Sequence, residues 1–158
     1  MSNLLPENDP QNWLLKPDYQ SSCKTYPINR PAIETGYDYF FKTASGLLYE
    51  VRFARKSDNY LGIVVNFTVV SDEFEHDYPV TNRGEIYNVI ATVIEIIKIF
   101  HQFHIFTNSY EFSGEFKEDE NKEDASIRSR LYYRYAQQIL NKNWQSEMKG
   151  NKVFLKKM

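Results

Sequence analysis

The segment from Ile86 to about Phe103, IYNVIATVIEIIKIFHQF, constrains the fold more than any other. Its apolar residues recur at helical spacing on nearly every side, while Asn88, Thr92, Glu95 and Gln102 fall in one narrow stripe. A helix that is apolar almost all round must be covered almost all round, so it belongs in the core, against a sheet. Asn82 reads as its N-cap, with Glu85 three residues on as the capping-box partner. Glu95 and Lys98 interrupt the run, which is also short for a bilayer, so no membrane span is expected.

The covering sheet is written on both sides of this helix. YDYFFKT alternates and ends at a Ser45-Gly46 turn; LLYEVRFAR puts Leu47, Tyr49, Val51 and Phe53 on one face and Glu50 and Arg52 on the other. After a turn at Ser57, Asp58 and Asn59, YLGIVVNFTVV aligns Leu61, Ile63, Val65, Phe67 and Val69. Links this short imply an antiparallel meander. The acidic loop SDEFEHDYPV leads to the helix, and IFTNSYEFSGE supplies a fourth strand around Tyr110 and Phe112. A charge-rich loop, a second helix and a hairpin turning at Gly150-Asn151 follow. Aromatic residues make up 16% of the chain, which suits a sheet-based core. The expected fold is a single α/β (α+β) domain over residues 36–158, with a mixed, mainly antiparallel sheet in the order strand, strand, strand, helix, strand, helix, strand or hairpin.

Five of the six prolines fall before residue 32, so residues 1–35 read as an extended arm. The arm carries Leu4, Leu5, Trp13, Leu14, Leu15 and Tyr19, and it either wraps its own domain or docks on a partner. The opening MSNLLPENDP lacks a basic segment followed by an apolar run, so no secretion signal is expected. Cys23 is the single cysteine, which fits a reducing cytoplasm and leaves no internal disulfide.

The second helix, SIRSRLYYRYAQQIL, places Arg128, Arg130 and Arg134 in its first half, where the helix dipole favours acidic side chains. With a start near Asp124, its buried stripe is Ile127, Leu131, Tyr135 and Ile139; Arg130 and Arg134 share a more exposed face and Arg128 lies beside the stripe. One reading pairs the arginines with Glu115, Glu118, Asp119, Glu120, Glu123 and Asp124 nearby. Exposed pairs worth about 0.3–0.5 kcal/mol each would offset most of a dipole penalty of about 0.3–1 kcal/mol per charge. A second reading is an anion site, since arginine forks beside free helix N–H groups suit phosphate or carboxylate. A third is a salt-bridge seam between subunits.

Net charge is −2, which excludes nucleic-acid binding by bulk charge, but residues 126–158 hold three Arg and five Lys against one Glu, a local +7 against −9 elsewhere. This basic C-terminal face is a candidate surface for a partner or for nucleic acid. His101 and His104 have metal-ligand spacing without a completing Cys or carboxylate, and Asp72, Glu73, Glu75, His76 and Asp77 lack a calcium-loop spacing. No metal is assigned, and Cys23 lacks an identifiable base.

Two resemblances add context. VTNRGEIYNVIATVIEIIKIF and the later SIRSRLY resemble a family of small phage and mobile-element proteins, seen chiefly in Bacteroidetes-type genomes, which pairs a T-N-x-G…A-T-V helix with an S-x-R-x-R-L-Y helix. That family carries no assigned activity. The element order, with IRSRLYYRYAQQIL followed by WQSEMKGNKVFLKK, is similar to the core of the GNAT superfamily of N-acetyltransferases. That likeness implies an acetyltransferase-like topology and puts Tyr132 where such enzymes keep a general acid for the departing coenzyme A thiolate. They cradle the acetyl-CoA pyrophosphate with an R/Q-x-x-G-x-G/A loop at the first long helix. Here Thr81, Asn82, Arg83 and Gly84 occupy that place, with one glycine and the acidic Glu85 directly after it.

The expectation is therefore a non-catalytic phage or mobile-element protein that binds another protein, in the host cytoplasm or the virion, with no cofactor and no membrane. Thr81, Asn82, Arg83, Gly84, Arg128, Arg130 and Arg134 are its candidate anion- or partner-binding residues. One alternative is an acetyl-CoA-dependent N-acyltransferase with Tyr132 as acid; another is a nucleic-acid-binding accessory protein. A homo-oligomer is compatible with each.

Overall fold

Alternating burial sets up the first half of the sheet in a computed structural model, which describes residues 13–17, 19, 23–71, 85–113, 122–150 and 152–158; for Ser71, Ser113 and residues 122–128 the backbone alone is described. A two-residue strand β1, Ile28–Asn29, pairs with β2, Asp38–Lys42. β2 turns through Gly46, at φ 94°, into β3, Leu48–Arg55, and β3 pairs antiparallel with β4, Gly62–Ser71. A positive φ is open to glycine without a Cβ clash, which is why the Ser45-Gly46 turn works here. Tyr39 and Phe41, then Tyr49, Val51 and Phe53, then Ile63 and Val65, point to one buried face as alternation predicts. Leu61 departs from its expected place: it lies before β4 and is exposed.

Helix α1, Ile86–Phe103, links β4 to β5, Ser109–Ser113, which runs parallel to β4. Helix α2, Lys122–Ile139, then leads to the hairpin of β6, Trp144–Lys149, and β7, Lys152–Lys157, turning at Gly150 with φ 60°. The sheet order among the described residues is β1-β2-β3-β4-β5-β7-β6, every pair antiparallel except β4 with β5. Relative to the order read from sequence, only the short β1 is added.

Both helices lie on the same sheet face. Phe100 of α1 stacks on Phe53 of β3 at 3.9 Å between ring centres, and His104 stacks on its other side at 3.9 Å. Tyr132 of α2 packs on Phe67 of β4 and Phe112 of β5. The opposite face carries ion pairs instead, with Arg52 reaching Asp38 and Glu50, both at 3.2 Å. This is a two-layer α+β architecture in which one side of the sheet meets solvent.

α1 is the one described helix long and apolar enough by composition to cross a membrane; its burial against the sheet makes it the core helix. The first half of its polar stripe is bonded to the arm. The arm's Tyr26 N–H donates to Thr92 Oγ1 at 3.0 Å, the Thr92 hydroxyl donates to the Asn88 carbonyl at 2.7 Å, and Asn88 Nδ2 donates to the Lys24 carbonyl at 2.8 Å. Further back, Leu14 and Leu15 are each only 3% exposed, and Leu15 bridges to Leu140. These arm residues lie on their own domain.

Two details of the helices differ from expectation. α1 has Glu85 at its cap position, without a side-chain cap bond, while the expected cap Asn82 lies outside the described residues. α2 buries Ser129, Tyr132, Ala136, Ile139 and Leu140, a stripe rotated from the expected Leu131 and Tyr135, which sit at its edge; the Ile127 side chain lies outside the described residues. Small Ser129 and Ala136 let the helix approach closely while Tyr132 fills the space between two phenylalanines. Hydrophobicity alone ranks Leu131 as high as Tyr132 and cannot see that fit.

Candidate functional site

The expected acid Tyr132 sits over the two middle strands, the one parallel pair among the described residues. β4 pairs with β5 over four registers, from Gly62 opposite Ser109 to Val65 opposite Phe112. β4 then continues to Ser71 with its pairing directed to β3. Tyr132 of α2 packs over this parallel pair, near the Val65–Phe112 register. Its ring lies 5.2 Å from Phe67 and 5.1 Å from Phe112, and the residue is 1% exposed. A phenol enclosed in this way is a packing element first. It meets a thiolate only if Phe67 or Phe112 gives way.

The start of α1 carries a fixed charge of its own. Glu85 turns away from the helix toward the β2–β3 turn, where the Ser45 N–H donates to Oε1 at 2.8 Å and the Ser45 hydroxyl donates to Oε2 at 2.9 Å. Thr43 Oγ1 lies 3.0 Å from Ser45 Oγ and accepts the Leu47 N–H at 3.1 Å, so the turn is pinned from both sides. The expected capping box is therefore replaced by a clamp between helix and hairpin. Negative charge is favourable at a helix start. The same charge repels any diphosphate drawn to that start. Thr81, Asn82, Arg83 and Gly84 lie outside the described residues.

The arginines are brought together only in part. α2 begins at Lys122, so its first turn is Lys122, Glu123, Asp124 and Ala125, and the arginines lie beyond the reach of the terminal dipole. Their apparent misplacement comes from reading the helix as SIRSRLYYRYAQQIL, whose first residue lies four beyond the observed start. Arg130 and Arg134 are exposed, as their shared face predicts; Arg128 is described only as helix backbone. The C-terminal lysines meet carboxylates of the same chain: Lys156 with Glu147 at 3.0 Å, Lys149 with Glu147 at 3.7 Å and Lys152 with Glu111 at 3.7 Å. Lys156 and neighbouring Lys149 hold the Glu147 carboxyl below its usual range. Three of the five lysines of the basic tail are thus matched inside the sheet.

The two histidines serve the core. His101 Nδ1 lies 2.7 Å from the buried Tyr110 hydroxyl, and His104 Nδ1 lies 2.9 Å from the Phe100 carbonyl. Burial pushes the Tyr110 phenol well above its usual value.

A different surface stands out at the end of the sheet where β4 and β5 begin. The β3–β4 turn exposes Tyr60 at 75% and the α1–β5 loop exposes Phe106 at 76%, with Leu61 and Phe103 also exposed. The two loops are tied together: the Asn108 N–H donates to the Leu61 carbonyl at 2.9 Å, and Asn59 Nδ2 donates to Asn108 Oδ1 at 3.3 Å. Tyr60 is held in place by Arg55, whose guanidinium lies 4.9 Å from its ring centre and donates to its carbonyl at 3.0 Å. Sequence reasoning missed this patch because Tyr60 and Phe106 sit in separate turns. The available signal was a bulky aromatic next to each turn with no strand position to bury it. Comparison with family models, with curated proteins and with solved structures returned no match.

Proposed function

We propose that this chain is a protein-binding module without catalysis, built on an acetyltransferase-like sheet, and that it belongs to a phage or mobile element, acting in the host cytoplasm or in the virion. The observation that carries this reading is the aromatic end formed by Tyr60, Leu61, Phe103 and Phe106. Bulky apolar side chains left exposed on linked loops at one end of a sheet mark an interaction surface, and Tyr and Phe anchors contribute most when a partner buries them. The described arm residues lie on their own domain and three tail lysines are ion-paired, so this reading puts the contact surface at the sheet end.

The test is affinity capture from the native host with wild type and with the Y60S/F106S variant. Substitutions this exposed should change stability by less than about 0.5 kcal/mol. The expected result is a defined partner captured by wild type and lost by the variant at unchanged melting temperature. Equal capture by both would sink the reading. Light scattering of the two proteins separates a foreign partner from a second copy of the same chain.

A second reading keeps the acyltransferase. Its support is Tyr132 packed over the parallel pair β4 and β5, which resembles the place where such enzymes keep their acid. Against it stand the carboxylate of Glu85 at the helix start and the enclosure of Tyr132. Calorimetry with acetyl-CoA at about 1 mM should give no heat; a dissociation constant near 1 μM, about −8 kcal/mol, would restore the enzyme reading. Nucleic-acid binding would rest on Arg128, Arg130 and Arg134, and predicts affinity that falls steeply with salt and vanishes when all three become alanine.

A further inference from the structure

A cavity of about 260 Å³ lies between the arm and the C-terminal half of α1. Its inner wall is Leu14, Leu15 and His101, each 3% exposed. That wall is fixed rather than draped. Lys16 N–H donates to the Ile139 carbonyl at 2.8 Å, Asn141 N–H donates to the Leu14 carbonyl at 2.9 Å, and Asn141 Nδ2 donates to the Trp13 carbonyl at 3.1 Å. The arm is thus stitched to the end of α2 and the start of β6, and the space beneath it is preformed. Preformed concave sites with apolar walls and few polar groups are what small ligands occupy.

The lining has a one-sided charge. Lys16 and Lys98 both reach it, and among the described residues no acidic side chain does. The ion-pair contact of Lys98, to Glu95, is long at 3.9 Å, so its ammonium can turn toward an anion in the cavity. Trp13 and Ile105 complete apolar walls beside these cations. The volume lies between the about 150 Å³ that admits benzene and the about 300 Å³ where larger ligand pockets begin.

We propose that this cavity is a binding site for a small organic carboxylate with a flat or short apolar body. The body lies against Leu14, Leu15 and Trp13, and the carboxylate pairs with Lys16 and Lys98. An ammonium pair at the mouth of an apolar recess selects a single anionic head over a neutral one, because the neutral molecule leaves both cations without added compensation. The cavity shares no lining residue with the aromatic end described above.

The test uses indole-3-acetate as probe on the full chain labelled with 15N, reading amide resonances and the side-chain resonance of Trp13. Saturable shifts at Trp13, Leu15 and Gln102, with a dissociation constant of about 1 mM or tighter, are expected. The K16Q/K98Q variant should weaken that binding by about tenfold or more. Indole-3-ethanol, the same ring without the charge, should bind wild type and variant weakly and equally. Both lysines lie at the surface, and resonances of the sheet far from the arm report that the variant is folded. The absence of saturable shifts up to about 10 mM, or equal affinity of wild type and variant for the carboxylate, overturns the proposal.

Discussion

Glu85 shows how one side chain can decide between two uses of a helix start. Its carboxylate takes two bonds from Ser45, so it locks α1 to the β2–β3 turn. Hydrogen bonds to a charged group contribute about 1.5–3 kcal/mol, more than neutral ones. Glu85→Gln keeps the shape and removes the charge, and should lower unfolding free energy by about 1–2 kcal/mol in a urea titration. No change in the midpoint would mean that the clamp carries no weight. Tyr110 supplies a pH signature at the same scale. Its buried phenol resists ionisation, whereas in the unfolded chain it titrates near 10.0. A group whose folded pKa is raised stabilises fully below its unfolded pKa and loses that contribution as pH rises past it. Stability should therefore fall above about pH 10, and Tyr110→Phe should fall less steeply there. At neutral pH the same variant should be weaker by about 1–2 kcal/mol, because His101 Nδ1 loses its partner. An alkaline slope identical to wild type would refute the assignment.

At the scale of elements, α1 is legible and α2 is not. The polar stripe of α1 was visible in sequence, but what covers it was not. The backbone of the arm at Lys24 and Tyr26 bonds to Asn88 and Thr92, so the first half of the stripe forms a seam with the arm. Thr92→Val keeps the volume and removes the acceptor of the Tyr26 N–H. The expected loss is about 1–3 kcal/mol, with faster amide exchange at Tyr26 than elsewhere in the arm. Unchanged exchange there would show that the seam is wet. For α2, a helical wheel offers Leu131 and Tyr132 as equal candidates for the core. The choice falls to Tyr132 because Phe67 and Phe112, far apart in sequence, form the slot it fills.

At the scale of the molecule, the arm and the sheet share one core. Leu14 and Leu15 join the same buried cluster as Ile139, Leu140 and Trp144. Fully burying each leucine contributes about 1.5–3 kcal/mol, so removing residues 1–22 should lower stability by about 3 kcal/mol or more, roughly 6–12 °C in melting temperature. Calorimetry of the whole chain should show one transition, since two bodies that share a core unfold together. A separate low-temperature transition, or an undiminished melting point after truncation, would mean that the arm merely rests on the surface. The charge asymmetry is reduced at this scale: Lys152 and Lys156 of β7 are met across strands by Glu111 and Glu147.

The pattern of residues by itself determined the strands, the buried helix and the face each presents, because period-2 and period-3.6 repeats are local and follow from backbone geometry. Turn glycines were equally local, since only a residue without Cβ reaches a positive φ easily. Tertiary structure alone decided where Glu85 points, which side of α2 is buried, what covers Thr92, and that Tyr60 and Phe106 stand on linked loops. Each of these depends on a contact between residues tens of positions apart, or on a void between two surfaces. Such a contact is a matter of shape and distance in three dimensions, and no spacing along the chain encodes it.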